Sequence, residues 1–128
     1  MILSYQMVLS LSIIIPTLNS GKVLEKCLSS ISSQNYPKNK IEIIVTDGGS
    51  TDETLDIAKK YNAKIFPNSL KTGEAGKAVG VKKATGELVV FIDSDNILPD
   101  KNWLKKMITP FVDQEIIGSE PWEYTYRK

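Results

Sequence analysis

The sequence predicts an α/β fold: a doubly wound, mostly parallel sheet with flanking helices. Three observations predict it. Short apolar runs at Leu11 to Ile15, Ile41 to Val45 and Leu88 to Ile92 alternate with helical stretches, the order from which right-handed crossovers build a parallel sheet. The run at Leu88 to Ile92 is continuously apolar, as in a strand buried on both faces. Polar, carboxylate-bearing loops follow the first, second and fourth strands, and such sheets bind ligands at these carboxyl ends.

Residues 1–10 read as a leader. Met1 to Ile15 is apolar, but it lacks a basic n-region and a small-residue cleavage site and runs directly into a strand pattern, with Met7 as an alternative start. The first strand, Leu11 to Ile15, should stop at Pro16, which has no N–H for a ladder, so that Pro16-Thr17-Leu18-Asn19 forms a loop. Ser20 is the expected N-cap of a helix whose Leu24, Cys27, Leu28 and Ile31 fall at i, i+3, i+4 and i+7. Cys27 is then a core residue. After Pro37 comes the second strand, Ile41 to Val45, followed by Asp47-Gly48-Gly49-Ser50-Thr51-Asp52. Ser50 and Glu53 have the form of a capping box, and Leu55, Ala58 and Tyr61 give the next helix its buried stripe. Ala63 to Phe66 is a short third strand ended by Pro67. Gly73 to Ala84 is a helix of small residues: Ala75, Ala78 and Val79 should pack closely on the sheet, Gly80 admits a tight approach, and Gly86 is the expected C-cap. Pro99 should open the last helix, with Trp103, Leu104, Met107, Ile108 and Phe111 on one face, and Pro110 should kink or end it near Thr109.

The 128 residues suffice for one sizeable core. Sixteen basic and 15 acidic residues nearly cancel and the lysines are scattered, so no electrostatic footprint for nucleic acid is present. Histidine is absent, which excludes histidine triads, His-ligated zinc and imidazole acid/base chemistry. A lone Cys27 forms no intramolecular disulfide and fits a reducing compartment. The expected location is therefore the cytoplasm, or the membrane surface facing it. No run approaches the roughly 20 apolar residues that span a bilayer. The turn P-T-L-N-S-G after the first strand is not G-x-G-x-x-G, and Gly76-Lys77 lacks the glycine spacing and hydroxyl of a Walker loop.

The chemistry concentrates in Asp93-Ser94-Asp95-Asn96. In an extended chain Asp93 and Asp95 point the same way, with backbones about 6.6 Å apart. Hard oxygen ligands so spaced suit Mg²⁺ or Mn²⁺ shared with substrate phosphates. The same four residues would also serve as an Asx-type turn capping the next helix, and the segment alone does not choose between the two.

Three segments together, I-I-I-P-T-L-N at Ile13 to Asn19, D-G-G-S-T-D at Asp47 to Asp52 and F-I-D-S-D-N at Phe91 to Asn96, resemble glycosyltransferase family 2 in order and spacing. The resemblance spans about Leu11 to Trp103. It implies a Rossmann-like GT-A fold, a nucleotide-diphosphate-sugar donor, with a UDP-sugar favoured, a divalent cation (Mn²⁺ or Mg²⁺), and an acceptor hydroxyl on a glycan, lipid or protein. By the same resemblance Pro16, Thr17 and Asn19 line the nucleotide pocket, and Gly49 and Ser50 belong to the donor site. Asp47 accepts a hydrogen bond from the base, Asp93 faces ribose and diphosphate, Ser94 lies between, and Asp95 ligates the metal. Two positions depart from the family pattern. Gly48 stands where a second aspartate is usual, and Lys77 stands where arginine is frequent, so Lys77 is either a point charge for phosphate or a solvated helix lysine. Asp52 reads as helix-cap chemistry.

The resemblance makes residues 11–115 the nucleotide-sugar-binding domain and 116–128 the start of a truncated acceptor region or a tail. Family members continue into an acceptor half that carries the general base, and no residue here can be assigned that role; Glu120 and Glu123 read as exposed acids. The alternative reading is a module that binds nucleotide-sugar without transferring it. A nucleotidyltransferase is disfavoured, because a glycine- and arginine-rich phosphate loop does not follow the first strand. Aromatic surface beyond Ile108, including Trp122, Tyr124 and Tyr126, leads to an expected apolar patch for self-association, a partner or a membrane surface.

Overall fold

The computed structural model describes residues 8–120. Strands β1 (Leu11–Thr17), β2 (Ile41–Asp47), β3 (Lys64–Pro67) and β4 (Leu88–Phe91) form one parallel sheet in the order β3-β2-β1-β4. Helices α1 (Gly21–Ser32), α2 (Thr54–Lys60), α3 (Gly73–Lys83) and α4 (Trp103–Ile108) connect and follow the strands, with short 3₁₀ turns at Lys38–Lys40 and Thr109–Val112. The chain steps outward from β1 to β3, then α3 carries it back to the other side of β1. Strand order thus reverses between β1 and β4, the switch point at which open α/β sheets form a ligand crevice.

Alternation along β1 builds two layers. Leu11, Ile13 and Ile15 pack with Leu24, Cys27, Leu28 and Ile31 of α1, Ala58 of α2 and Leu104 and Ile108 of α4, each large apolar side chain contributing about 1.5–3 kcal/mol by its burial. The helical stripe predicted for α1 is the one buried. Ile14 faces the opposite layer, where a Cβ on Gly80 of α3 would lie 2.4 Å from its Cγ2. One turn earlier, a Cβ on Gly76 would lie 2.7 Å from Thr46 Oγ1 and 2.9 Å from Pro16 Cβ. The contact stripe of α3 is therefore Gly76 and Gly80, and the expected Ala75, Ala78 and Val79 stripe is displaced, with Ala78 exposed.

Several boundaries differ from expectation for identifiable reasons. Strand β1 continues through Pro16 to Thr17. Ile14 O accepts from Ile92 N on the β4 side, so Pro16, two residues on, faces that side after the β4 ladder has ended, and its missing donor is not needed there. Strand β4 is an edge strand among the described residues, with Val89 and Phe91 exposed instead of buried. Helix α3 lies over β1 and β2 and leaves that face of β4 open. The Ser50/Glu53 capping box does not form; α2 starts at Thr54, whose N–H donates to Asp52 Oδ1 at 2.9 Å. Gly86 is no C-cap, since α3 ends at Lys83. It is glycine because a Cβ would meet the β1 backbone, 2.7 Å from Ser12 N. The last helix starts at Trp103, not Pro99, and ends at Ile108 with Pro110 in the following 3₁₀ turn, as the proline predicts. Buried Gln34, which had no role in the sequence reading, pins α4 to the end of α1: its Nε2 donates to Asp100 O (2.6 Å) and its Oε1 accepts from Leu104 N (2.9 Å).

At the amino ends of the strands Glu42 fastens three elements. Its carboxylate accepts from Lys64 Nζ at 2.7 Å, from Ser12 Oγ, and from Thr85 N and Oγ1 at 2.6 and 2.9 Å. Burial pushes the carboxyl pKa up, but the bonds from Lys64, Ser12 and Thr85 outweigh it and lower the pKa to about 2, against an ordinary 4.5. With a side chain only 12% exposed, this shift is worth up to about 3 kcal/mol. A depressed folded pKa gives stability that is complete above about pH 4.5 and lost as pH falls towards 2. The thermal midpoint should drop over that window, and Glu42→Gln should lower the neutral-pH midpoint and flatten the acid slope.

A groove of about 640 Å³ runs beside β4, lined by Val89, Phe91, Ile97, Trp103, Met107 and Phe111 among others. Of its lining, Phe111 and Ile117 belong to the stretch after Ile108 in which an apolar patch is expected; Trp122, Tyr124 and Tyr126 lie outside the described residues. No helix among the described residues is long and apolar enough to cross a membrane.

Candidate functional site

The carboxyl ends of β1, β2 and β4 bring three polar loops together at the switch point. After β1, Asn19 turns the chain into α1 in a left-handed conformation (φ 50°), which Asn tolerates better than most residues. Its N–H donates to Ser50 Oγ at 2.7 Å, and its Oδ1 accepts from Thr51 N at 2.8 Å, so the first and second loops are bonded to each other. Asp52 adds a further tie. Beyond the expected cap of α2, its Oδ2 accepts from Gly21 N at 3.0 Å, which joins the starts of α1 and α2.

Asp47, 6% exposed, is the centre of the second loop. Its Oδ1 accepts from Thr17 Oγ1 (2.7 Å) and Ser50 Oγ (2.6 Å), and its Oδ2 from Gly49 N (3.0 Å) and Ser50 N (2.7 Å). A carboxylate has about four acceptor positions, and all are taken. Burial pushes the Asp47 pKa up, yet the bonds from Ser50, Thr17 and Gly49 prevail and hold it below the usual carboxylate range. The group is an anion organising its own loop, so the base contact implied by the resemblance would be a fifth bond.

Gly48 also acquires a reason. It is buried, and a Cβ there would lie 3.3 Å from Lys71 Cα and 3.5 Å from Leu18 Cδ1. Lys71 itself sits in the left-handed region (φ 65°), an uncommon state for lysine, with its N–H donating to Asn68 O at 3.1 Å. The loop after β3 therefore closes on the bare backbone of Gly48, where an aspartate would crowd it. Asn68, almost fully buried, completes this corner: its N–H donates to Asp47 O (2.8 Å) and its Nδ2 to Thr72 O (2.9 Å), which leads into α3.

The third loop holds the two aspartates. Asn96 closes it, with Asn96 N donating to Asp93 O (3.0 Å) and Asn96 Oδ1 accepting from Asp93 N (3.2 Å). The segment is therefore a turn and not the extended pair, and it caps no helix, since α4 starts only at Trp103; the two carboxylates stand on that turn. Asp93 and Asp95 are exposed, and neither is in an ion pair among the described residues. Beneath the loop, burial and the charges of Asp95 and Asp93 push the Cys27 thiol up to about 12. Cys27 is buried in the core, as expected. Lys77 is half-buried, with its ammonium 5.6 Å from the Phe91 ring centre, a cation–π distance that holds it beside the strand leading to Asp93.

The family model described as Glycosyl transferase family 2 matches residues 12–121. The chain belongs to glycosyltransferase family 2. It is 39% identical over 109 residues to the poly(ribitol-phosphate) β-N-acetylglucosaminyltransferase TarS of Staphylococcus aureus, covering 80% of this chain and 19% of that protein. It is 32% identical over 123 residues to the glycosyltransferase AglE of Haloferax volcanii, covering 90% of this chain and 40% of the relative. The chain thus spans less than half the length of these relatives. Among solved structures, S. aureus TarS 1-349 in complex with UDP-GlcNAc superposes with a TM-score of 0.71 at 37% identity, covering 82% of this chain and 31% of that one. The Pyrobaculum calidifontis mannosyltransferase PcManGT in complex with GDP-Man and Mn²⁺ superposes with a TM-score of 0.72 at 26% identity, covering 78% and 31%. The fold is that of GT-A glycosyltransferases.

For this family 2 chain the structure brings Thr17, Asn19, Asp47, Gly49 and Ser50 into one bonded unit and sets the Asp93-Ser94-Asp95 loop across the switch point from it. Pro16 lies within β1 and packs under Gly76 of α3. Ser20, Asn68 and Lys71 also contact these loops, a place the sequence reading did not give them. Ser20 was legible only as a cap, and Asn68 and Lys71 only as polar loop residues after Pro67.

Proposed function

We propose that the chain is the donor-binding part of a glycosyltransferase that moves a sugar from a nucleoside diphosphate, with UDP favoured, to an acceptor hydroxyl. The observation that carries this is the pair of exposed carboxylates, Asp93 and Asp95, free of cationic side chains among the described residues and set at the switch point opposite the bonded β1 and β2 loops. No three metal-ligating side chains cluster among the described residues. Two carboxylates leave the other positions to phosphate oxygens and water, the habit of Mg²⁺ and Mn²⁺. The donor set fits such a cation, with Asp95 and Asp93 holding it, and the cation would supply charge compensation for the departing diphosphate.

The remaining roles belong to the chain. The Asp47-centred loops form the floor for the nucleoside, preorganised by bonds already made in the free protein. Lys77, steadied by Phe91, offers a point charge to phosphate. PcManGT is solved with GDP-Man and Mn²⁺ and TarS with UDP-GlcNAc, which supports a nucleotide-sugar donor here without choosing the base. No general base is assigned, and the acceptor is a glycan, lipid or protein hydroxyl outside this part of the fold.

Calorimetry with UDP and GDP, each with and without Mn²⁺, tests the reading. UDP should bind at least about tenfold more tightly with Mn²⁺ than without, a difference of roughly 1.4 kcal/mol. No heat with either nucleotide at millimolar concentration overturns it.

A further inference from the structure

We propose that Ser20 is a positioning residue that couples the nucleotide loops to the Asp93–Asn96 loop through its hydroxyl contact with Ser94. The inference rests on the donor-site reading above and deepens it. Ser20 occupies the N-cap position of α1, where a serine side chain ordinarily accepts from the N2 or N3 amide, yet its side chain makes no capping bond. Its carbonyl alone serves the helix, accepting from Val23 N and Leu24 N at 3.0 and 2.9 Å. The hydroxyl, on a residue only 8% exposed, instead donates across to Ser94 Oγ at 3.1 Å and accepts from Leu18 N at 3.4 Å.

Both ends of that contact are fixed. Ser20 N donates to Thr54 Oγ1 at 2.8 Å, and fully buried Thr54 in turn donates from Oγ1 to Asp52 Oδ1, so Ser20 is held by the loop after β2. Ser94 lies between the two exposed carboxylates, in a turn whose other fastenings are Asn96 and the weak contact from Cys27 Sγ to Asp93 O at 3.7 Å. Among the described residues Ser20–Ser94 is accordingly the side-chain-to-side-chain bond that ties the carboxylate loop to the nucleotide loops. A buried hydroxyl turned away from its local partner towards one 74 residues distant sets where Asp93 and Asp95 stand relative to Asp47. Ser20 touches neither donor nor cation; it acts through Ser94.

The test uses the full chain and the variants Ser20→Ala, Ser94→Ala and their double. Each single change should weaken Mn²⁺-dependent UDP binding by about three- to tenfold, the range of one hydrogen bond. Ser20→Ala should leave UDP binding without metal unchanged, and the double should be no worse than either single. Hydrogen exchange on the ligand-free chain reads the same contact without any ligand. Ser20→Ala should speed the Asp93 and Asn96 amides severalfold while those of Leu24 to Ile31 stay protected. Multiplicative losses in the double, an equal loss of metal-free UDP binding, or unchanged exchange at Asp93 and Asn96 would each overturn the proposal. If the wild-type chain binds no UDP, the donor reading fails, and the exchange result alone decides whether Ser20 positions the loop.

Discussion

Asp95→Asn is expected to remove the Mn²⁺-dependent part of UDP binding, a loss of about 100-fold or more, and to leave metal-free binding and thermal stability close to the parent. The magnitude follows from ligand chemistry. Changing groups that merely support a metal ligand costs about 10–100-fold in affinity, and a carboxylate replaced by a neutral amide loses both charge and a hard oxygen. Stability should hold because Asp95 is exposed and takes part in no hydrogen bond or ion pair among the described residues, and such surface changes usually stay within about 0.5 kcal/mol. Titration of Mn²⁺ at fixed UDP measures the effect. Parental metal dependence in the Asn variant would remove Asp95 from the site.

Asp47→Ala is expected to act differently, lowering stability by about 2–4 kcal/mol and weakening UDP binding to a similar extent with and without Mn²⁺. Four donors converge on this carboxylate from Thr17, Gly49 and Ser50, and hydrogen bonds to a charged group are worth about 1.5–3 kcal/mol each before solvent recovers part of the loss. Asp47→Asn should cost less. Its Oδ1 can keep the two backbone donors, while the hydroxyls of Thr17 and Ser50 rotate to accept from its amide. The ordering parent, Asn, Ala in both urea midpoint and UDP affinity is the expected result. A selective loss of UDP over GDP in the Asn variant, at parental stability, would instead assign Asp47 to reading the base. Because the folded pKa of Asp47 is depressed, the loop it organises should be complete at neutral pH and loosen as acid protonates the carboxylate below its ordinary range.

Much of this architecture was legible along the chain. Leu24, Cys27, Leu28 and Ile31 announced the buried face of α1, Pro110 the end of α4, and the carboxylate-bearing loops the rim on which they gather, since each of these rests on local periodicity or turn chemistry. The three-segment resemblance carried the family. What failed was also local in form. Ser20 holds the cap position without the side-chain bond, Ser50 looks like a cap and is none, Gly86 looks like a helix terminator, and Leu88 to Ile92 looks like a central strand.

The sequence by itself determined the element order, the parallel sheet and the placing of Asp47, Asp93 and Asp95 at strand ends, because spacing between neighbouring residues dictates backbone direction. Only the tertiary structure decided the partners. Gly86 is glycine because β1 passes within 2.7 Å of its missing Cβ, and Gly48 because Lys71 closes over it. Asp47 is saturated because the end of β1 brings it Thr17, and Ser20 turns from its own helix because packing of α1 under β4 brings Ser94 within 3.1 Å. A hydroxyl or carboxylate has several local options of nearly equal energy. The contact that wins is set by which distant backbone the hydrophobic layers press against it.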